Sequence, residues 1–198
     1  MRIGVLTSVH PATDTRILFK QAATLAAGGH EVFLVARASE AQVGCGVTHV
    51  AVPVPQSRLD RVRTCLQVLR AAIELRCDVY HLHDPELLPL AGVLRRRTGA
   101  AIVFDVHEDV RRQIRNKYWI PRWARRPLAW LYGVAELQCL RQVDRVVIAE
   151  DSYAATYAAH DPVPVRNYPT LDLLSRLKGL RPRKDRQYAF GQVFDLID

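Results

Sequence analysis

The feature that most constrains this chain is a rhythm of short apolar runs alternating with longer amphipathic stretches. Ile3–Val9, Glu31–Ala36, Val47–Val52, Asp78–His83, Ala100–Val106, Asp144–Ala149 and Val163–Val165 read as strands. Short continuous apolar runs of this kind suit strands covered on both faces. Between them lie helix signals. Thr13 or Asp14 can cap a helix in which Ile17, Leu18, Ala22, Leu25 and Ala26 share one face, and Gly28-Gly29 ends it. Leu59–Arg76 sets Val62, Leu66, Leu69 and Ile73 on one stripe. Asp84 followed by Pro85 has the chemistry of a cap and a first-turn proline, opening a helix that carries Leu87, Leu90, Ala91 and Leu94 and stops before Gly99. Pro121–Gln142 and Ser152–Ala159 are further helices, whereas Ala38–Gly46 is loop-like. The alternation predicts an α/β fold, a Rossmann-like parallel sheet of about seven strands with helices on both faces.

A length of 198 residues with 49% hydrophobic side chains suits one domain with a sizeable core. Residues 1–170 are expected to form it; residues 171–198 are polar and basic, with one more helix at Leu171–Leu180. No stretch approaches the roughly 18 apolar residues that cross a bilayer. The N-terminus lacks the features of a secretory signal, and Cys45, Cys65, Cys77 and Cys139 match neither C-x-x-C nor a zinc spacing. Reduced thiols and a cytoplasmic location are the expectation.

In open parallel sheets, ligands bind beyond the carboxyl ends of the strands. Those ends are rich in chemistry here. His10, Asp14 and Arg16 follow the first strand, His81, His83 and Asp84 end the fourth, and Asp105, His107, Glu108 and Asp109 end the fifth. Histidine moves protons near neutral pH, and a neighbouring carboxylate orients it. His107 with Glu108 is the pair expected to act. Asp14, Asp84 and Asp109 each also suit a helix cap, and one of His81 and His83, which point the same way from their strand, also suits a hydrogen-bonded core position. His81, His83, Asp84 and His107 have donor types that suit a metal, but no H-E-x-x-H motif accompanies them, and neither metal nor cofactor is expected. The first strand–helix loop, Ser8–Arg16, contains no glycine, and no P-loop is present, so a dinucleotide dehydrogenase is not expected despite the fold.

Three segments in order, VHPATDTRILFKQAATLAAGGHEV, HLHDPELLPL and FDVHEDVRRQI, resemble the N-terminal, acceptor-side domain of retaining glycosyltransferases of family 4, which have the GT-B fold. The resemblance runs from Met1 to about Thr170. It implies a nucleotide-sugar donor and a polysaccharide or lipid-linked acceptor in cell-envelope assembly. It implies that His107 lies near the transferred sugar and is catalytic. His10, Asp14 and Arg16 would lie under the donor phosphates, with His83, Asp84 and Glu108 also binding substrate. Asn167-Tyr168-Pro169 matches the crossover to a donor-binding domain, so that residues 171–198 are a basic tail or a remnant of that crossover. The donor domain's glutamates seven residues apart have no counterpart here, since no two glutamates have that spacing. The expectation is therefore a glycosyltransferase, or its acceptor half acting with a separate donor-domain chain. The competing reading is a non-catalytic binding or adaptor module.

The net charge of +8 points to an anionic partner. Arg111, Arg112, Arg115, Lys117, Trp119 and Trp123 interleave basic and aromatic side chains. Such a stretch suits an acceptor or an anionic membrane surface, with peripheral attachment at the inner face. The same residues suit a solvated helix face whose tryptophans pack into the core or against a donor-binding domain. No nucleic-acid-binding signature is present, and nucleic acid is not expected as a partner.

Overall fold

The computed structural model describes residues 1–38, 43–166 and 168. Contacts divide the chain into two compact units, Met1–Asn167 and Tyr168–Asp198, and nearly all described residues belong to the first. Asn167, Pro169, the expected Leu171–Leu180 helix and the basic tail lie outside the described residues.

One sheet runs through the first unit. Its strands are β1 (Arg2–Pro11), β2 (Glu31–Arg37), β3 (Val43–Gly44), β4 (Val47–Val52), β5 (Val79–Leu82), β6 (Ala101–Val106), β7 (Arg145–Ile148) and β8 (Val163–Pro164). They lie in the order β3-β4-β2-β1-β5-β6-β7-β8. All neighbours are parallel except β3 and β4. Helix α1 winds as a π-helix over Thr15–Ala22 and as an α-helix over Ala23–Ala27. The others are α2 (Arg58–Leu75), α3 (Ala91–Thr98), α4 (Val110–Asn116), α5 (Arg122–Leu140) and α6 (Ala154–Tyr157). Among the described residues no helix is long and apolar enough to cross a membrane.

Three local features depart from expectation. β3 falls within the stretch read as loop: Cys45 (φ 56°) and Gly46 (φ 71°) form a two-residue turn that pairs Gly44 with Val47. Left-handed backbone at both central positions is the hairpin geometry for which Asn-Gly is the usual signal, and Cys-Gly does not advertise it. Helix α4 was not foreseen, because its seven residues are mostly polar and show no apolar stripe; Asp109 does cap it, its carboxylate accepting the Arg112 N–H. Asp84 does not cap the helix after it. The chain passes through a turn and a 3₁₀ segment, Leu88–Leu90, before α3 begins at Ala91. Pro89 within that segment cannot donate a backbone hydrogen bond, and the Asp84 carboxylate is turned toward β1.

The alternation of side chains across the sheet makes two cores. Leu6, Phe33, Val35, Tyr80, Leu82, Ile102 and Phe104 pack with Val68 and Ala72 of α2 and Leu94 of α3. Ile3, Val5, Val32, Leu34 and Ala36 pack on the other face with Ile17 and Ala22 of α1. The first core constrains β1 tightly. Tyr80 is fully buried, donates its hydroxyl to the Ala72 carbonyl at 2.5 Å and accepts the Cys77 N–H at 2.9 Å. A Cβ at Gly4 would sit 2.7 Å from its ring. Gly4→Ala is therefore expected to lower the free energy of unfolding by about 1–3 kcal/mol, measured by urea denaturation.

β1 lies between β2 and β5: from β1 the chain builds outward through β2 on one side, then crosses back from β4 to β5 on the other. This is the switch point at which parallel sheets open a crevice beyond their carboxyl ends.

Candidate functional site

Two polar constellations meet at that crevice. The first ties β5 to the end of β1. Asp84, 2% exposed, accepts hydrogen bonds at one oxygen from Thr7 Oγ1 (2.8 Å) and the backbone N–H groups of Ser8 (2.5 Å) and Val9 (3.0 Å). Its other oxygen lies 3.3 Å from His10 Nε2, and His10 Nδ1 lies 3.4 Å from Asp14. Asp14 also caps α1, accepting from the N–H groups of Arg16 and Ile17. The hydrogen bond to Asp14 pushes the His10 pKa up, against the pull of burial and with help from the charge of Asp84. His10 is thus a partly exposed imidazole biased toward its cationic form at the mouth of the crevice.

The second constellation surrounds Asp105, whose side chain is fully buried on the α1 face of β6. Arg16 Nη2 donates to both carboxylate oxygens, at 2.9 and 3.0 Å, and Gln21 Nε2 donates at 2.6 Å. Arg16 and Gln21 are five residues apart. The i→i+5 bonding of the π-helix brings that spacing round to one side. Asp105 Oδ2 lies 3.3 Å from His107 Nε2, 3.6 Å from His83 Nδ1 and 3.9 Å from His81 Nε2. His83 Nδ1 and His107 Nε2 are themselves 3.0 Å apart. Burial alone would raise the Asp105 pKa, but the hydrogen bond from His107 and the surrounding imidazoles hold it well below the usual carboxylate range. Burial lowers His81 to about 4 and His83 well below its ordinary value, so both rings are neutral near pH 7. The inward nitrogen of His107 is engaged, and Nδ1 is its remaining polar atom. Arg16 Nε, Gln21 Oε1, His81 Nε2 and His83 Nε2 are buried without a hydrogen-bond partner among the described residues.

His81, His83 and Asp105 bring three donor atoms within 4.8 Å of one another. This set differs from the one considered in the sequence, because Asp84 is committed to β1. A cation already holds the carboxylate: a metal ion bound there would face the Arg16 guanidinium across Asp105, and like charges at that range disfavour it.

The other sequence candidates divide. His10, Asp14, Arg16, His83, Asp84 and His107 all converge on the crevice. Glu108 is exposed and hydrogen-bonds Gln113 of α4 rather than His107. Arg111 leaves the basic surface: its guanidinium pairs with the buried Glu136 of α5 at 2.8 Å, and Tyr157 donates to the same carboxylate at 2.9 Å. Arg112 and Arg115 are exposed, and the Lys117 ammonium lies 5.3 Å from the Trp119 ring centre. Asp109, Arg112, Gln113, Asn116, Lys117, Tyr118 and Trp119 line an open groove of about 360 Å³ beside the crevice. Trp119 and Trp123 are 60% and 81% exposed. Gln21 was missed entirely, since nothing in its local sequence distinguishes it from a solvated helix residue.

Residues 15–169 match the family model described as a glycosyl transferase 4-like domain. No curated protein matches the chain significantly in sequence. Among solved structures, sucrose-phosphate synthase from Thermosynechococcus elongatus superposes with a TM-score of 0.60 at 15% identity, covering 89% of this chain and 52% of that one. Os79 from O. sativa, solved in complex with UDP, gives 0.56 at 14% identity, covering 91% and 57%. HepE from Anabaena, solved with UDP-glucose, gives 0.54 at 10% identity, covering 89% and 48%. At these identities the likeness is one of fold, and the chain spans about half the length of each of these structures.

Proposed function

Because the chain belongs to the glycosyl transferase 4-like family, we propose that it forms the acceptor-side half of an enzyme that moves a sugar from a nucleotide-sugar to a glycan or lipid-linked acceptor, with the donor-binding half supplied by further polypeptide or a partner chain. The observation that carries this reading is the convergence of His10, His83, His107 and the Arg16–Asp105 pair on the β1/β5 switch point. UDP-glucose bound to HepE and UDP bound to Os79 support a nucleotide-sugar as the donor.

The geometry suggests a division of roles. His107 would face the transferred sugar, its ring held by Asp105 and His83. The donor's diphosphate needs positive charge at the mouth. Arg16 reaches it only by breaking its pair with Asp105, whereas His10 is partly exposed and biased toward the cation. Of the three residues that the resemblance sets under the donor phosphates, His10 therefore takes the phosphate role and Arg16 does not. The groove between Asp109 and Trp119 offers aromatic, amide and basic groups for an acceptor that carries hydroxyls and negative charge.

Calorimetric titration with a panel of UDP- and GDP-sugars tests this. Binding is expected, and His10→Ala is expected to weaken it about tenfold, the loss of one charge-assisted hydrogen bond. With the donor half supplied, His107→Ala is expected to reduce transfer by about 10²-fold or more. If no nucleotide-sugar binds and no transfer occurs with the donor half present, the reading is overturned. Acceptor binding without transfer would make the chain a binding module.

A further inference from the structure

Helix α5 turns toward solvent a face that helices of folded proteins normally bury. Trp123 is 81% exposed, Trp130 69%, Leu131 57%, Leu137 42% and Val134 38%. Positions 123, 127, 130, 131 and 134 fall at helical spacing on one side. The inward stripe is made of smaller or polar groups: Ala129, Gly133, Glu136 and Leu140. The bulky indoles are thus on the outside by construction, because the inside is filled by the Arg111–Glu136–Tyr157 clamp. Between Arg126 and Arg141 the only charged residue is Glu136, and it points inward. Trp119, and Tyr118 at 85% exposure, extend the apolar surface into the α4–α5 turn.

The charge around this face has one sign. From Val110 to Gln142 there are eight basic residues, and Glu136 is the single acidic one. Glu136 neutralises Arg111, leaving Arg112, Arg115, Lys117, Arg122, Arg125, Arg126 and Arg141 without an acidic side chain in the segment.

We propose that α5 is a docking surface for an anionic lipid bilayer. The helix lies in the plane of the interface, its indoles sit at the boundary between headgroups and acyl chains, and the basic rim meets lipid phosphates. Indole rings have an apolar body and one N–H donor, and they concentrate at that boundary. Amphipathic helices with tryptophan and leucine on one face and basic residues around it bind in this way, more strongly as the surface becomes more negative. A second copy of the chain is the poorer occupant, since a two-fold contact sets the same basic rim against itself. This docking is independent of the transfer reading: it needs no nucleotide and no donor half.

Sedimentation of the full chain with phosphatidylcholine vesicles, with and without phosphatidylglycerol, tests it. Binding is expected only when phosphatidylglycerol is present, with a blue shift of tryptophan emission and release at high salt. Trp123→Ala with Trp130→Ala is expected to weaken partitioning by about tenfold or more. Both rings are exposed, so the variant should keep the circular dichroism and melting profile of the parent. Arg112→Glu with Arg126→Glu should reduce binding while leaving the indoles in place. Three results overturn the proposal: equal behaviour toward neutral and anionic vesicles, undiminished binding by the tryptophan variant, or a stable oligomer whose tryptophans are shielded from a soluble quencher.

Discussion

Replacing Asp105 by alanine is expected to lower the free energy of unfolding by about 3–5 kcal/mol, the usual cost of removing one partner of a buried ion pair. Arg16 is 7% exposed, and among the described residues its side chain hydrogen-bonds only Asp105. Without the carboxylate it becomes a buried, uncompensated cation, and Gln21 loses the acceptor that it now meets at 2.6 Å. Single domains have total stabilities of about 5–15 kcal/mol, so the variant would stand near the edge of folding. Asp105→Leu combined with Arg16→Leu should recover much of the loss, because burying an apolar pair avoids desolvating two charges. Urea denaturation at pH 7, followed by circular dichroism, measures both. A loss below about 1 kcal/mol for the alanine variant would mean that water reaches the guanidinium, as at exposed pairs.

Acidification should destabilise the domain by about 3 kcal/mol between pH 6.5 and pH 4 through His81 alone. Burial holds its pKa at about 4, against an ordinary value of 6.5. In that window the unfolded chain takes up a proton at His81 and the native state does not, so stability falls as pH falls. His83 acts in the same direction, being held neutral by burial. Asp105, whose folded pKa is depressed, adds to the loss at lower pH, where the unfolded carboxyl protonates first. His10 has the opposite sign, but its raised pKa stabilises the native state mainly as pH falls to about 6.5, above this window, and being partly exposed its contribution is screened. Unfolding free energies at a series of pH values would show the slope, and His81→Gln should flatten it. A domain equally stable at pH 4.5 and pH 7 would show that the imidazoles are protonated in the native state.

Both effects come from polar groups that the sequence placed well but could not pair. His10, His83 and His107 were legible because each lies at the carboxyl end of an apolar strand, and strand ends of a parallel sheet converge whatever the side chains are. The caps at Asp14 and Asp109 were legible because a cap is a local device spanning two or three residues. Asp84 had the same local signature, yet its carboxylate serves residues 76 and 77 positions earlier. The π-helix that sets Gln21 beside Arg16 leaves no mark in an apolar pattern that an α-helix would share.

What the sequence determined by itself was the order of the seven parallel strands and of the helices between them except α4, the parallel sheet, and the edge at which the chemistry gathers. Hydrophobic periodicity is a property of neighbouring residues, and burial of an apolar run needs no particular partner. The tertiary structure alone decided that Arg16 joins Asp105 across 89 positions, that Arg111 turns in to Glu136, and that the indoles of α5 face outward. A buried charge must find one specific counter-charge at hydrogen-bonding distance, and which of several candidates it meets depends on how the helices settle on the sheet.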